Sequence, residues 1–156
     1  MAAIVSQIVE VCVFRGSKPE PQYLLLKRSE HDKLYPGTWQ IVTGVMEQGE
    51  HSVQAALREL KEETGLSIRR LWTVPVVSSF YDPSKDFIHL IPMFAVEVST
   101  GQEPVLSSEH QTSAWFSYEN ARKKLVWPDQ RKTLKVVHKY IVGDQEAARL
   151  TAVTLP

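Results

Sequence analysis

The stretch Gly44–Leu66, GVMEQGEHSVQAALRELKEETGL, carries two patterns at once. From Glu50 to Thr64 the residues Val53, Ala56, Leu57 and Leu60 recur at helical spacing, and Gly65 stands where a left-handed cap residue ends a helix. The spacing predicts a helix over 50–64 with Leu57 and Leu60 turned toward a core. Successive helical residues advance by about 100°, so Glu59, Glu62 and Glu63 fall together on another face. Like charges at such spacing repel by about 0.2–0.5 kcal/mol per pair, and Arg58 and Lys61 neutralise part of that. Two readings stay open from these residues alone. One is a solvated acidic face. The other is a seat for a hard cation such as magnesium, which accepts a few carboxylates, keeps several waters and takes further oxygens from substrate phosphates. Zinc would call for histidine or cysteine instead.

Working outward, Gln7–Phe14 and Gln22–Arg28 are rich in residues that favour strands, and Gly16–Pro21 between them predicts a hairpin turn. Ser29–Thr38 reads as a loop, followed by a short apolar run, Trp39–Val42, that reaches Thr43 and Gly44. Beyond the helix, Ser67–Val77, Phe87–Val98 and Ala114–Phe116 read as strands. Ser117 is placed to cap a helix through Leu125, and Pro128 suits the first turn of a last helix whose Leu134, Val137, His138 and Ile141 recur at core spacing. No repeat or linker divides the chain, so one α/β (α+β) domain is expected over residues 1–156, with 1–5 and 144–156 as peripheral tails.

Composition narrows the partners. At 156 residues a chain buries enough surface to fold without a structural metal or crosslink, so any metal serves chemistry. Lys plus Arg (18) balances Asp plus Glu (18), which argues against a nucleic-acid polymer and for a small-molecule partner. The one cysteine, Cys12, sits in an apolar run, and the N-terminal apolar residues follow no basic leader. A cytoplasmic location with no membrane segment is expected. Oligomeric state, monomer or homodimer, is not legible. His31, His51, His89, His110 and His138 show no ligand spacing with cysteine or one another, so no second, histidine-based metal site is expected.

The order Gly44, five residues, Glu50, seven residues, Arg58-Glu59-Leu60, one residue, Glu62-Glu63, one residue, Gly65-Leu66 resembles the complete Nudix box. The resemblance implies an α/β/α sandwich around a mixed β-sheet. It also implies a hydrolase of phosphoric anhydrides that uses Mg2+ or Mn2+ to split a nucleoside diphosphate linked to another group. Carried over by position, Glu59, Glu62 and Glu63 match the metal-binding and base-bearing glutamates, and the carbonyl of Gly44 matches a backbone metal ligand. Arg58 matches the arginine that orients those glutamates, and Glu50 the early carboxylate that supports the loop and helix start. Glu109 is the candidate for an extra glutamate from a later loop, with a solvated loop carboxylate as the alternative.

Around the box, Lys27 and Arg28 are candidates to meet phosphate, and Trp39, Tyr35, Tyr81 and Trp127 to stack on a base. Ordinary strand-end charges and core or rim aromatics are the plain alternatives. Trp39, Gln40, Thr43 and Gly44, with Glu109 ahead of Trp115 and Trp127 ahead of Arg131, resemble the branch that contains dATP and dihydroneopterin triphosphate pyrophosphohydrolases. The entrance typical of diadenosine polyphosphate hydrolases is absent, since Val42 and Thr43 stand there. A triphosphate substrate leads. The alternatives are a non-catalytic nucleotide-binding regulator, or a hydrolase of dinucleoside polyphosphates, nucleotide sugars or RNA 5′ ends.

Overall fold

Strand β2 (Ile8–Arg15) organises the sheet, because its alternation sends Val9, Val11 and Val13 to one face and Cys12 and Phe14 to the other. The computed structural model describes residues 1–143 and 145–155. In chain order it holds β1 (Ala3–Val5), β2, β3 (Gln22–Arg28), β4 (Trp39–Gln40), β5 (Val42–Val45), α1 (Ser52–Thr64), β6 (Ile68–Asp82), β7 (Phe87–Val98) and β8 (His110–Ser117). There follow α2 (Tyr118–Lys124), α3 (Pro128–Val136) continued by a π-helical turn at Val137–Ile141, α4 (Glu146–Thr151) and β9 (Ala152–Val153).

One edge of β2 runs parallel to β7, while its other edge is divided. Ile8–Val11 pair with β5, and Phe14 and Arg15 pair with Tyr23 and Gln22 of β3. The expected hairpin is therefore real but short, and the sheet forks beyond it. The run Trp39–Val42 splits for the same reason. Trp39 and Gln40 pair with β3, Ile41 turns away with its N–H donating to Gln130, and Val42 begins the pairing with β2. Strand β8 lies along the far edge of β3 and starts at His110, earlier than the apolar run alone suggests.

The two faces carry separate cores. Leu60, Ala55 and Ala56 of α1 pack with Val9, Val11, Leu24, Leu26 and Phe94, and α2, α3 and α4 cover Cys12, Tyr23, Leu25, Trp72 and Met93. This is the mixed sheet between helices that the box implied. Strand β6 runs past Pro75, which lacks a donor, through a register shift between Thr73 and Val77. The ends read as peripheral tails are tied to the sheet: β1 runs parallel to β7 and β9 pairs with β6. Asp144 and Pro156 of the second tail lie outside the described residues. No helix among the described residues is long and apolar enough to cross a membrane.

Candidate active site

Helix α1 begins two residues later than its apolar spacing suggests. Glu50 is held out of it in a turn, where Glu47 N–H donates to the Glu50 carboxylate at 2.9 Å and Arg58 donates to both of its oxygens at 2.8 and 2.9 Å. His51 becomes the N-cap, and its N–H donates to Gln54 at 3.3 Å. At the other end Gly65 adopts φ +65°, a conformation that favours glycine, and closes the helix on Lys61.

Arg58 is the hub of the acidic face. Besides Glu50, it donates to Glu59 at 2.9 Å, to Glu62 at 3.2 Å and to the Val45 carbonyl at 3.0 Å. The Arg58 guanidinium holds Glu50 down at about 2. Five-donor guanidinium geometry suits this fan of acceptors better than a lysine ammonium would.

The three glutamates expected on one face occupy three environments. Glu62 is exposed, Glu59 is largely covered, and Glu63 is buried beside Leu60. The reason is angular: Glu63 stands three residues after the fully buried Leu60 and shares its inward side, together with Thr64. Burial, with repulsion from Glu109 and Glu59 behind it, pushes the Glu63 carboxyl up to about 8. Glu59 is also raised, first by burial, against the opposing pull of Arg58.

Gly44 meets Glu59 directly. A Cβ at position 44 would stand 2.0 Å from Glu59 Cδ, so only glycine lets that carboxyl lie against strand β5. The segment before β8 is strapped along the end of α1, with Val105 N–H donating to the Thr64 carbonyl at 2.9 Å and Ser107 N–H to the Glu63 carbonyl at 3.4 Å. This strap brings Glu109 and His110 to Glu63, and one ligating atom from each of the three residues lies within 4.8 Å of the others. Glu63 Oε2 and His110 Nδ1 are buried there without a hydrogen-bond partner. Buried polar atoms of this kind are ordinarily completed by an ion or a water, so the donor set fits a divalent cation.

His110 joins the cluster of the box residue Glu63, where Glu63 and Gln40 reach it from other elements that spacing along the chain does not register. Its ring is buried at the start of β8, and burial pushes its pKa down to about 4.

The remaining candidates are more dispersed. Arg28 lies opposite His110 in the register of β3 and β8, and its charge acts on Glu63, but its donors are engaged by the Leu34 carbonyl and by Asp32. Lys27 pairs with Glu30 at 3.1 Å. Trp39 packs edge-on against Phe116, with ring centroids 5.3 Å apart, and Trp127 packs edge-on against Tyr35 at 4.7 Å. The Tyr81 hydroxyl donates to Asp86 at 2.9 Å within the β6–β7 hairpin.

A second polar group lies on the opposite face of the sheet, across from Thr43, the residue before Gly44. Glu10, buried on β2 and paired in register with Thr43, accepts from Gln130 at 2.8 Å and leaves Oε2 without a partner. Asp129, beside it on α3, accepts from Ser78 Oγ at 2.7 Å. Along the sequence Glu10 is one polar residue within the strand Gln7–Phe14. Its phase, two residues before the buried Cys12, was the available signal.

A mixed sheet between helices with an acidic, cation-compatible cluster at the end of α1 is the frame that the family comparison places among hydrolases of phosphoric anhydrides. The chain belongs to the NUDIX domain family, whose model matches residues 7–137. It is 34% identical over 134 residues to an octanoyltransferase of Myxococcus xanthus, covering 81% of this chain but only 35% of that protein. It is 30% identical over 121 residues to the nucleoside triphosphatase NudI of Escherichia coli K12, covering 73% of this chain and 86% of that one. In fold it is similar to a C. elegans Ap4A hydrolase, with TM-score 0.72 and 22% identity, covering 89% of this chain and 99% of the other.

Proposed function

We propose that this chain is a magnesium- or manganese-dependent pyrophosphohydrolase acting on a nucleoside triphosphate-like substrate, of the dATP or dihydroneopterin triphosphate type, releasing a monophosphate and pyrophosphate. The observation that carries the reading is the convergence of Glu63, Glu109 and His110, with buried acceptors unpartnered, beside the Glu59 carboxylate against Gly44. Similarity to a nucleoside triphosphatase over most of both chains supports the substrate class.

In this reading the Gly44 carbonyl and the carboxylates of Glu59, Glu62 and Glu63 hold the cation. A cation held there would supply charge neutralisation for the phosphates and the departing pyrophosphate and a more acidic water. Arg58 positions Glu59 and Glu62, and Glu50 anchors Arg58. Glu109, the exposed carboxylate of the cluster, takes the proton of the attacking water. Lys27 and Arg28 exchange their loop partners for phosphate oxygens, and Trp39, Tyr81 and Trp127 are the aromatic candidates for the base. The setting is cytoplasmic, with a small-molecule nucleotide as partner and no nucleic-acid polymer or membrane.

A panel of nucleoside triphosphates, dihydroneopterin triphosphate, dinucleoside polyphosphates and nucleotide sugars, assayed with Mg2+ for pyrophosphate and monophosphate, tests the reading. Pyrophosphate released in equal amount to a nucleoside or pterin monophosphate, and lost in Glu59→Gln, is the expected result. Tight nucleotide binding with no product would overturn it in favour of a regulator.

A further inference from the structure

Among the described residues, His110 brings a ring nitrogen into a cluster with two carboxylates. The two ring nitrogens are in different surroundings. Nε2 lies 3.3 Å from the amide nitrogen of Gln40, while Nδ1 is buried with no partner. Neither a proton nor a lone pair on Nδ1 is answered by a protein partner, and Glu63 Oε2 is unpartnered as well. Two buried polar atoms left without partners on residues of one cluster mark a place for a further group to complete them. A half-turn of the Gln40 amide would present its oxygen to Nε2–H and fix the tautomer that leaves Nδ1 free to ligate.

The geometry points to His110 as a nitrogen ligand, through Nδ1, to a divalent cation shared with Glu63 and standing beside the base Glu109, with Gln40 as the residue that orients the ring. This rests on the proposal that the acidic helix holds a divalent cation, and goes beyond it in naming a donor that is not oxygen. An imidazole among carboxylates shifts preference from the hard Mg2+ toward Mn2+, which accepts nitrogen more readily. The position of His110 agrees with a built site: it is 6% exposed, opens strand β8, and is carried to α1 by the Ser107 contact.

Electron spin-echo spectroscopy of the full chain loaded with Mn2+ alone is the test, since it detects nitrogen bonded to manganese without reference to turnover. The expected result is 14N modulation in the wild type, replaced by a 15N pattern when only histidine is 15N-labelled, and lost in His110→Gln. Mn2+ affinity in that variant should fall by about 10- to 100-fold, with a smaller fall for Mg2+. The labelled wild-type protein keeps the test valid even if the variant folds poorly. Stoichiometric Mn2+ binding without nitrogen modulation, or modulation that survives His110→Gln, overturns the inference and leaves the proposed function standing. Absence of Mn2+ binding overturns both.

Discussion

Replacing Glu10 by glutamine should remove a pH-dependent weakness from the fold. The carboxyl is 6% exposed, between β2 and α3. Burial raises it from 4.5 to about 6, with Asp129 adding repulsion and hydrogen bonds from Gln130 and Thr43 opposing. Below pH 4.5 the group is protonated in folded and unfolded chains alike and costs nothing. As pH rises to about 6, the unfolded chain releases a proton that the folded chain keeps, so stability falls. Above that the full penalty persists. At about 1.36 kcal/mol per pH unit the penalty is about 2 kcal/mol, or about 4–8 °C in Tm for a chain this size. Glutamine keeps the shape and the acceptor for Gln130 but does not titrate.

Urea unfolding of both proteins from pH 4 to 7.5, in chelator, reads the difference directly. The added amide shifts the whole Glu10→Gln curve by a constant, so the quantity that matters is the change in the gap with pH. The gap should move by about 2 kcal/mol in favour of the variant between pH 4 and 7. Parallel curves would refute the reasoning.

Arg58→Ala releases Glu50, Glu59 and Glu62 at once and should lower turnover by about 10- to 100-fold while leaving Tm nearly unchanged, as measured by pyrophosphate release and calorimetry. Gly44→Ala places a methyl on the Glu59 carboxyl, so divalent-cation binding measured by calorimetric titration should be lost with the circular dichroism spectrum preserved. Leu60→Ala empties a fully buried site between α1 and the sheet and should destabilise by about 2–5 kcal/mol in urea unfolding.

Much of this architecture is legible along the chain because it is local. The helix, its Gly65 cap, the strands and the Ser117 cap each depend on neighbours a few residues away. The divided edge of β2 is not legible, since Ile8–Val11 choose β5 over β3 through non-local pairing. The acidic helix shows the boundary between the two. Its charges were plain, but their separation into exposed Glu62, covered Glu59 and buried Glu63 depends on which side of α1 the sheet occupies. His110 and Glu10 fall beyond the boundary: each acquires its meaning from residues on other elements, Glu63 and Gln40 for one, Gln130 and Thr43 for the other.

The central claim is that the acid groups of α1 grip cations that in turn hold a polyphosphate. An anomalous difference map from crystals soaked with Mn2+ and a non-hydrolysable nucleoside triphosphate tests it most directly. The account predicts a manganese peak coordinated by Glu59, Glu63 and the Gly44 carbonyl and by phosphate oxygens. A nucleotide bound elsewhere, with no manganese on that face, would contradict it.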